Sequence, residues 1–254
     1  MAHVTPLAML CVATIALTAG AQERSPIETD RPDFTEASSL VSARHVQLET
    51  GWTSSQARGD NMPSQYSWPE VLLRIGLSSR LEARLGQSFA SVDPGTGERF
   101  TAHDDLYAGV KVALAEQRGA RPQFALLLQA TIPTGDDRLT NDEWLPGGAL
   151  LAGWGTDGAL SYAAGLQFNR LPVEGMELGP SVAVGLQLSP SLKGYGEWFA
   201  FAPVGAGESS TAHYANGGFA LRVSDDAQLD ARVGAGLNDA ADRVFFGLGF
   251  SIRR

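Results

Sequence analysis

Eight ionisable residues recur inside segments that are otherwise apolar or small: Glu49, Arg74, Glu82, Arg84, Lys111, Asp230, Arg232 and Arg253. Alternate residues of an extended chain share a face. Each of these charges therefore stands opposite a row of Val, Leu, Ile or Phe. Charges of both signs on a wall of low dielectric must pair or meet water. Two chemistries follow: they line an aqueous passage and touch a solute, or they pair with one another and fill the space. A second dense set, Asp30, Arg31, Asp33 and Glu36, lies upstream in a stretch with no strand or helix period. That set can bind the wall charges as a plug or gate, or only brace them.

Covalent chemistry has little to stand on. No Gly-x-Ser-x-Gly elbow and no His-Glu-x-x-His occurs. His103-Asp104-Asp105 has the residue types of a metal corner but reads as the end of an exposed loop. Gly153-Trp154-Gly155 and Gly205-Ala206-Gly207 read as turn glycines, since neither leads into a helix or a Lys-Ser/Thr pair. The expectation is no enzyme, no cofactor and no metal. A hydrolase built on a Ser/His/Asn set stays as a third reading, because such sets are spatial rather than sequential.

The elements that must position the charges are strands. From His45 onward there are twelve candidate strands, most alternating with period two, while the fifth, 123–132, is apolar on both faces apart from Gln129 and Thr131. Val46, Leu48, Thr50 and Trp52 oppose Gln47, Glu49 and Gly51, and Val71, Leu73, Ile75 and Leu77 oppose Leu72, Arg74 and Gly76. Leu229, Ala231, Val233, Ala235 and Leu237 oppose Asp230, Arg232, Gly234 and Gly236. The sixth, ninth and tenth segments are weaker, and Glu197 shares a face with Tyr195, Phe199 and Phe201, so their faces stay unassigned. Connections after even strands are tight, at 77–80, 116–122, 155–158, 189–193 and 224–227. Those after odd strands, at 53–65, 88–104, 133–145, 170–179 and 203–210, are longer and more polar; the last, 238–242, is the exception. A soluble sandwich has no reason to sort turns by parity. A barrel in a bacterial outer membrane does, because its odd and even connections face opposite compartments. The fold class is thus all-β, a transmembrane antiparallel up-and-down barrel of about twelve strands, with apolar rows facing lipid and small or charged residues facing the lumen. Trp52, Trp68 and Trp144 near outer strand ends suit an aromatic belt.

Composition agrees with export. The 254 residues are 44% hydrophobic, yet no apolar run reaches the roughly 18–20 residues of a membrane helix. The run 7–17 has the length of a signal-peptide core, and Ala19-Gly20-Ala21 is an A-x-A cleavage pattern, which predicts a leader over 1–21. The single cysteine, Cys11, lies inside it. Residues 22–44 are expected to form a polar periplasmic segment and candidate plug, and 45–254 the barrel. A net charge of −9 and no basic patch argue against nucleic acid as a partner.

The segment Glu28-Thr29-Asp30-Arg31-Pro32-Asp33-Phe34-Thr35-Glu36 resembles the opening motif of an outer-membrane transporter-like family labelled after the MetA pathway of phenol degradation. Further matching pieces are Gln47-Leu48-Glu49-Thr50-Gly51, Leu72-Leu73-Arg74-Ile75-Gly76-Leu77, Arg80-Leu81-Glu82-Ala83-Arg84-Leu85-Gly86, Ile132-Pro133-Thr134-Gly135-Asp136 and Gly247-Leu248-Gly249-Phe250-Ser251-Ile252-Arg253. The chain closes on Arg253-Arg254 where outer-membrane barrels typically end on an aromatic. The resemblance implies a barrel and suggests passive transport of small solutes, with hydrophobic or aromatic compounds as candidates. The expected partners are the lipid bilayer, a small-molecule solute and the outer-membrane assembly machinery. The alternative is a structural or interaction barrel whose lumen is filled by ion pairs.

Overall fold

The alternation of apolar and small residues builds a closed antiparallel ring. The computed structural model describes residues 25–59, 64–93, 98–156, 158–172, 174–205 and 210–254; the leader expected over 1–21 lies outside these. The strands are β1 (Val46–Gln56), β2 (Ser64–Ser78), β3 (Leu81–Asp93), β4 (Phe100–His103), β5 (Leu106–Ala115), β6 (Gln123–Ile132), β7 (Leu145–Gly155), β8 (Leu160–Arg170), β9 (Met176–Gln187), β10 (Leu192–Val204), β11 (Ala212–Ser224), β12 (Ala227–Gly236) and β13 (Val244–Arg253). Sequential neighbours pair throughout, except that β3 passes on to β5, and β1 pairs with β13 to close the circle. Closure leaves no strand edge in hydrocarbon, where an unbonded amide is costly.

Twelve strands form the ring. The additional short strand, β4, pairs only with the outer half of β3, at Phe89–Val92. It lies inside the long polar connection 88–104, where four residues are too few to show a period. With β3 at 13 residues and β2 at 15, this side of the wall is longer than the roughly 9–11 residues a tilted membrane strand needs.

The outward rows are exposed and apolar. Leu150 of β7 is 49% exposed, and in the register it lies between Leu126 of β6 and Leu166 of β8. Aromatic pairs mark the two ends of the wall: Trp52 and Tyr66 at one, with centroids 6.2 Å apart, and Trp154 and Tyr162 at the other, 5.6 Å apart. The inward rows are buried although charged; Arg74, Glu82 and Lys111 have no exposed surface. The structure also assigns the faces of two of the three strands left open in sequence. Ala149 and Leu151 of β7 point inward and pack with Ala125 and Leu127 of β6 and with Leu40. On β10, the face carrying Glu197 and Phe199 is the inward one.

The lumen is occupied by the chain's own N-terminal segment. It enters at the turn between β11 and β12, where the Ile27 amide donates to the Asp225 carbonyl at 2.8 Å. It leaves beside β2, where Arg44 donates to the Gly76 carbonyl at 2.8 Å. Inner-wall glycines clear its path. A side chain at Gly76 would collide with the backbone of Val41 and Ser42, and one at Gly51 or Gly249 with the Arg31 guanidinium.

Leu150→Arg, at mid-span on the lipid face, is expected to lower stability by roughly 2–4 kcal/mol. Urea unfolding from vesicles measures it, with Leu150→Met as the near-neutral control.

Candidate functional site in the barrel lumen

Strand pairing brings the predicted charges together. Arg74 and Arg84 face each other across β2 and β3, and Glu82 pairs with Lys111 across β3 and β5. Arg74 lies 2.9 Å from Glu49 and 2.9 Å from Glu82. Into this cluster the N-terminal segment inserts Asp30, which is 3.3 Å from Arg74, 2.8 Å from Arg84 and 3.1 Å from Lys111. Glu36 adds a contact of 2.6 Å to Arg84 and one of 3.6 Å to Lys111. One carboxylate thus joins three cations from three strands. Burial alone would raise the Asp30 pKa, but Arg74, Lys111 and Arg84 together outweigh it and hold the carboxyl well below the usual range.

Wall carboxylates in turn grip the segment's main chain. Glu49 accepts from the amides of Asp30 (3.1 Å) and Arg31 (3.2 Å). Glu82 accepts from the Val41 amide at 2.7 Å. Glu197 accepts from the Phe34 amide at 2.9 Å, the Thr35 amide at 2.5 Å, the Thr35 hydroxyl at 2.6 Å and Asn216 at 2.6 Å. An irregular segment buried in a lumen has no ladder to satisfy its amides, and these glutamates take that role.

The remaining predicted charges are more dispersed. Arg31 pairs with Glu70 at 2.8 Å and lies 3.5 Å from Asp230. Arg232 donates to the Pro32 carbonyl at 3.1 Å and to Thr53 at 3.0 Å. Arg253, at the end of β13, stands at the rim of the barrel that carries the short turns. It pairs with Asp226 at 2.8 Å and donates to the Ser25 carbonyl, fastening the point where the segment enters. Asp33 lies near Glu197 and Lys193, and burial first, then Glu197, pushes its carboxyl up to about 8.

Residues that sequence reasoning missed include Glu197, Gln47, Gln228 and Asp105. Gln47 donates to the Glu28 carbonyl and to Glu49, and Gln228 to Thr29. Asp105, in the stretch read from sequence as a loop end, accepts from the amides of Thr134, Gly135 and Asn141 at 3.1, 2.9 and 3.0 Å, tying two loops together. Burial acts upward on this carboxyl, and the Asn141 and Gly135 amides outweigh it and keep its pKa low.

Residues 29–253 match the family described as "Putative MetA-pathway of phenol degradation", from the charged segment to the end of β13. The chain belongs to this family. Its fold is shared with an outer-membrane channel from Pseudomonas putida F1, at 12% identity over 85% of this chain and 98% of that one, with a TM-score of 0.66. It is also shared with the β domain of the Bordetella autotransporter BrkA, at 14% identity over 82% and 99%, TM-score 0.53. The KdgM porin in complex with disordered oligogalacturonate aligns at 8% identity over 82% and 98%, TM-score 0.52. At these identities the likeness is one of fold. No curated protein sequence matches the chain. A closed barrel with lipid-facing apolar rows, in this family, places the protein in the bacterial outer membrane.

Two outcomes follow from these contacts. Arg74→Met leaves Glu49, Glu82 and Asp30 short of a buried partner, and it should cost roughly 3–5 kcal/mol in urea unfolding. Asp33 holds a proton more tightly when the segment is docked than its ordinary value of 3.8 allows. The docked state therefore loses relative stability as pH rises from about 4 to about 8. Protease accessibility of the segment should increase across that window in the native protein and lose this dependence in Asp33→Asn.

Proposed function

We propose that the protein is a passive outer-membrane channel for small solutes, closed at rest by residues 25–44. The observation that carries this reading is that the segment divides the lumen into two cavities. The outer one, about 580 Å3, reaches the loop residues Asp104, Asp105 and Asn141. The periplasmic one, about 330 Å3, reaches Gln117 and Lys193. Arg31 and Asp33 line both, so they stand at the partition. A cavity of the outer one's size suits a small molecule. Between its backbone anchors at Ile27 and Arg44, the partitioning segment has no strand structure and is held by side chains. Such an element can be released without breaking the wall.

Flow would be passive, with selectivity set by the inward charges Glu49, Arg74, Glu82, Arg84, Lys111, Asp230 and Arg232 once the segment moves. The gating charges on the segment are Asp30, Arg31, Asp33 and Glu36. Hydrophobic or aromatic solutes are the favoured class, supported by the family description and by the apolar inner patch of Leu127, Leu151 and Leu40. The assembly machinery of the outer membrane would insert the barrel. No hydrolytic role is proposed: His45 and His103 contact backbone carbonyls, and His213 stacks on Trp198.

One observation favours a second reading, a structural or interaction barrel that does not conduct. Asp30, Arg74 and Lys111 are fully paired, as in a permanent filling. Deleting residues 25–44 and recording in planar bilayers separates the two. A channel is expected to show conductance steps several-fold larger than the full-length protein. No current from either form would establish the second reading.

A further inference from the structure

The tip of the N-terminal segment carries one aromatic residue, Phe34, and the wall receives it in a cup of rings. Phe199 stacks on it at 4.5 Å with an interplanar angle of 17°, and Phe201 meets it edge-on at 5.2 Å and 88°. Tyr214 stacks behind Phe199 at 4.9 Å, and Phe245 closes the group, 6.2 Å from Tyr214. Gly179 of β9 flanks the ring: a side-chain carbon there would lie 3.4 Å from it, in ordinary contact. These wall rings share the inward face with Glu197, and on that face, without the segment, they would meet the water of the lumen.

The chemistry of this cup is that of a ring-binding site. It offers one stacking face and one edge contact, and paired rings attract by about 0.5–1.5 kcal/mol beyond their buried area. The ring that fills it belongs to the element closing the lumen, and Phe34 also borders the outer cavity. A solute entering from outside therefore reaches the cup at its occupied side. The polar grip on this tip comes from Glu197, which holds the amides of Phe34 and Thr35. An anionic ring would be placed beside that carboxylate, so the cup favours a neutral one.

We propose that Phe34 is an intramolecular ligand in a binding cup for a single neutral aromatic ring, and that a monocyclic aromatic solute exchanges with Phe34 and so releases the segment from the lumen. This rests on the channel reading. The exchange is non-covalent. It shifts the docked–released equilibrium because the solute binds only the form in which the cup is vacant.

The test uses the full chain, with benzyl alcohol as probe and cyclohexylmethanol as its saturated counterpart. In planar bilayers, benzyl alcohol is expected to raise the open probability of the native protein, and cyclohexylmethanol to leave it unchanged. Phe34→Ala is expected to open without any addition and, by calorimetry in detergent, to bind benzyl alcohol about tenfold more tightly than the native protein, since the competing ring is gone. Phe199→Leu added to Phe34→Ala should abolish that tighter binding. If Phe34→Ala opens but binds benzyl alcohol no better than the native protein, the cup is only an anchor and the proposal is overturned while the channel reading stands. Equal responses to the two probes also overturn it. Failure of the channel reading looks different: the form lacking residues 25–44 would carry no current at all.

Discussion

A charge inside a closed barrel must find its partner inside that barrel. The wall of this protein directs Arg74, Arg84 and Lys111 at one region, with Glu49 and Glu82 beside them, and the Asp30 carboxylate completes the set by touching all three cations. Removing one member of such a set leaves the others buried and uncompensated, which costs far more than an exposed pair contributes. The docking of the N-terminal segment is therefore built into the electrostatics of the wall. The path of residues 25–44, the position of the partition and the two cavities on either side of it all follow from where Asp30 sits.

The same segment explains the small inner residues. Glycine in a strand interior usually weakens it. Here Gly51, Gly76 and Gly249 stand where Arg31 and the Val41–Ser42 backbone press against the wall, and each would clash with a larger residue. The inner apolar patch has a similar origin, because Ala125, Leu127, Ala149 and Leu151 face Leu40 of the segment. Outside, the requirement is simpler: lipid accepts any apolar side chain, so the outward rows are Leu, Val and Phe without evident selectivity among them.

The contrast determines what was legible in the sequence. Period-two alternation and the parity of turn lengths are local, and they gave the barrel, its strand number and the faces of most strands. β4 was missed because four residues carry no period. β10 resisted assignment because its inner face carries Glu197 together with Tyr195 and Phe199, a mixture with the character of neither face. Its meaning depends on residues far away: Glu197 is matched to the amides of Phe34 and Thr35, about a hundred and sixty positions upstream. Pairings of that separation leave no local trace, so the inward charges could be named from sequence while their partners could not. Arg253 fits the inward pattern and yet serves the rim, since the last strand ends beside the segment's entry point.

In the proposed channel, the segment closes the lumen and its release opens it. Ser38 and Gly153 face each other there, and a side-chain carbon at Gly153 would lie 3.6 Å from that of Ser38. That spacing suits a disulfide, and Cys11, inside the expected leader, is the chain's sole cysteine. Single-channel recording of the Ser38→Cys, Gly153→Cys double variant before and after reduction is the most direct measurement. The oxidised form is expected to stay closed and the reduced form to conduct as the native protein does. Equal current from both forms, or none from either, would contradict it.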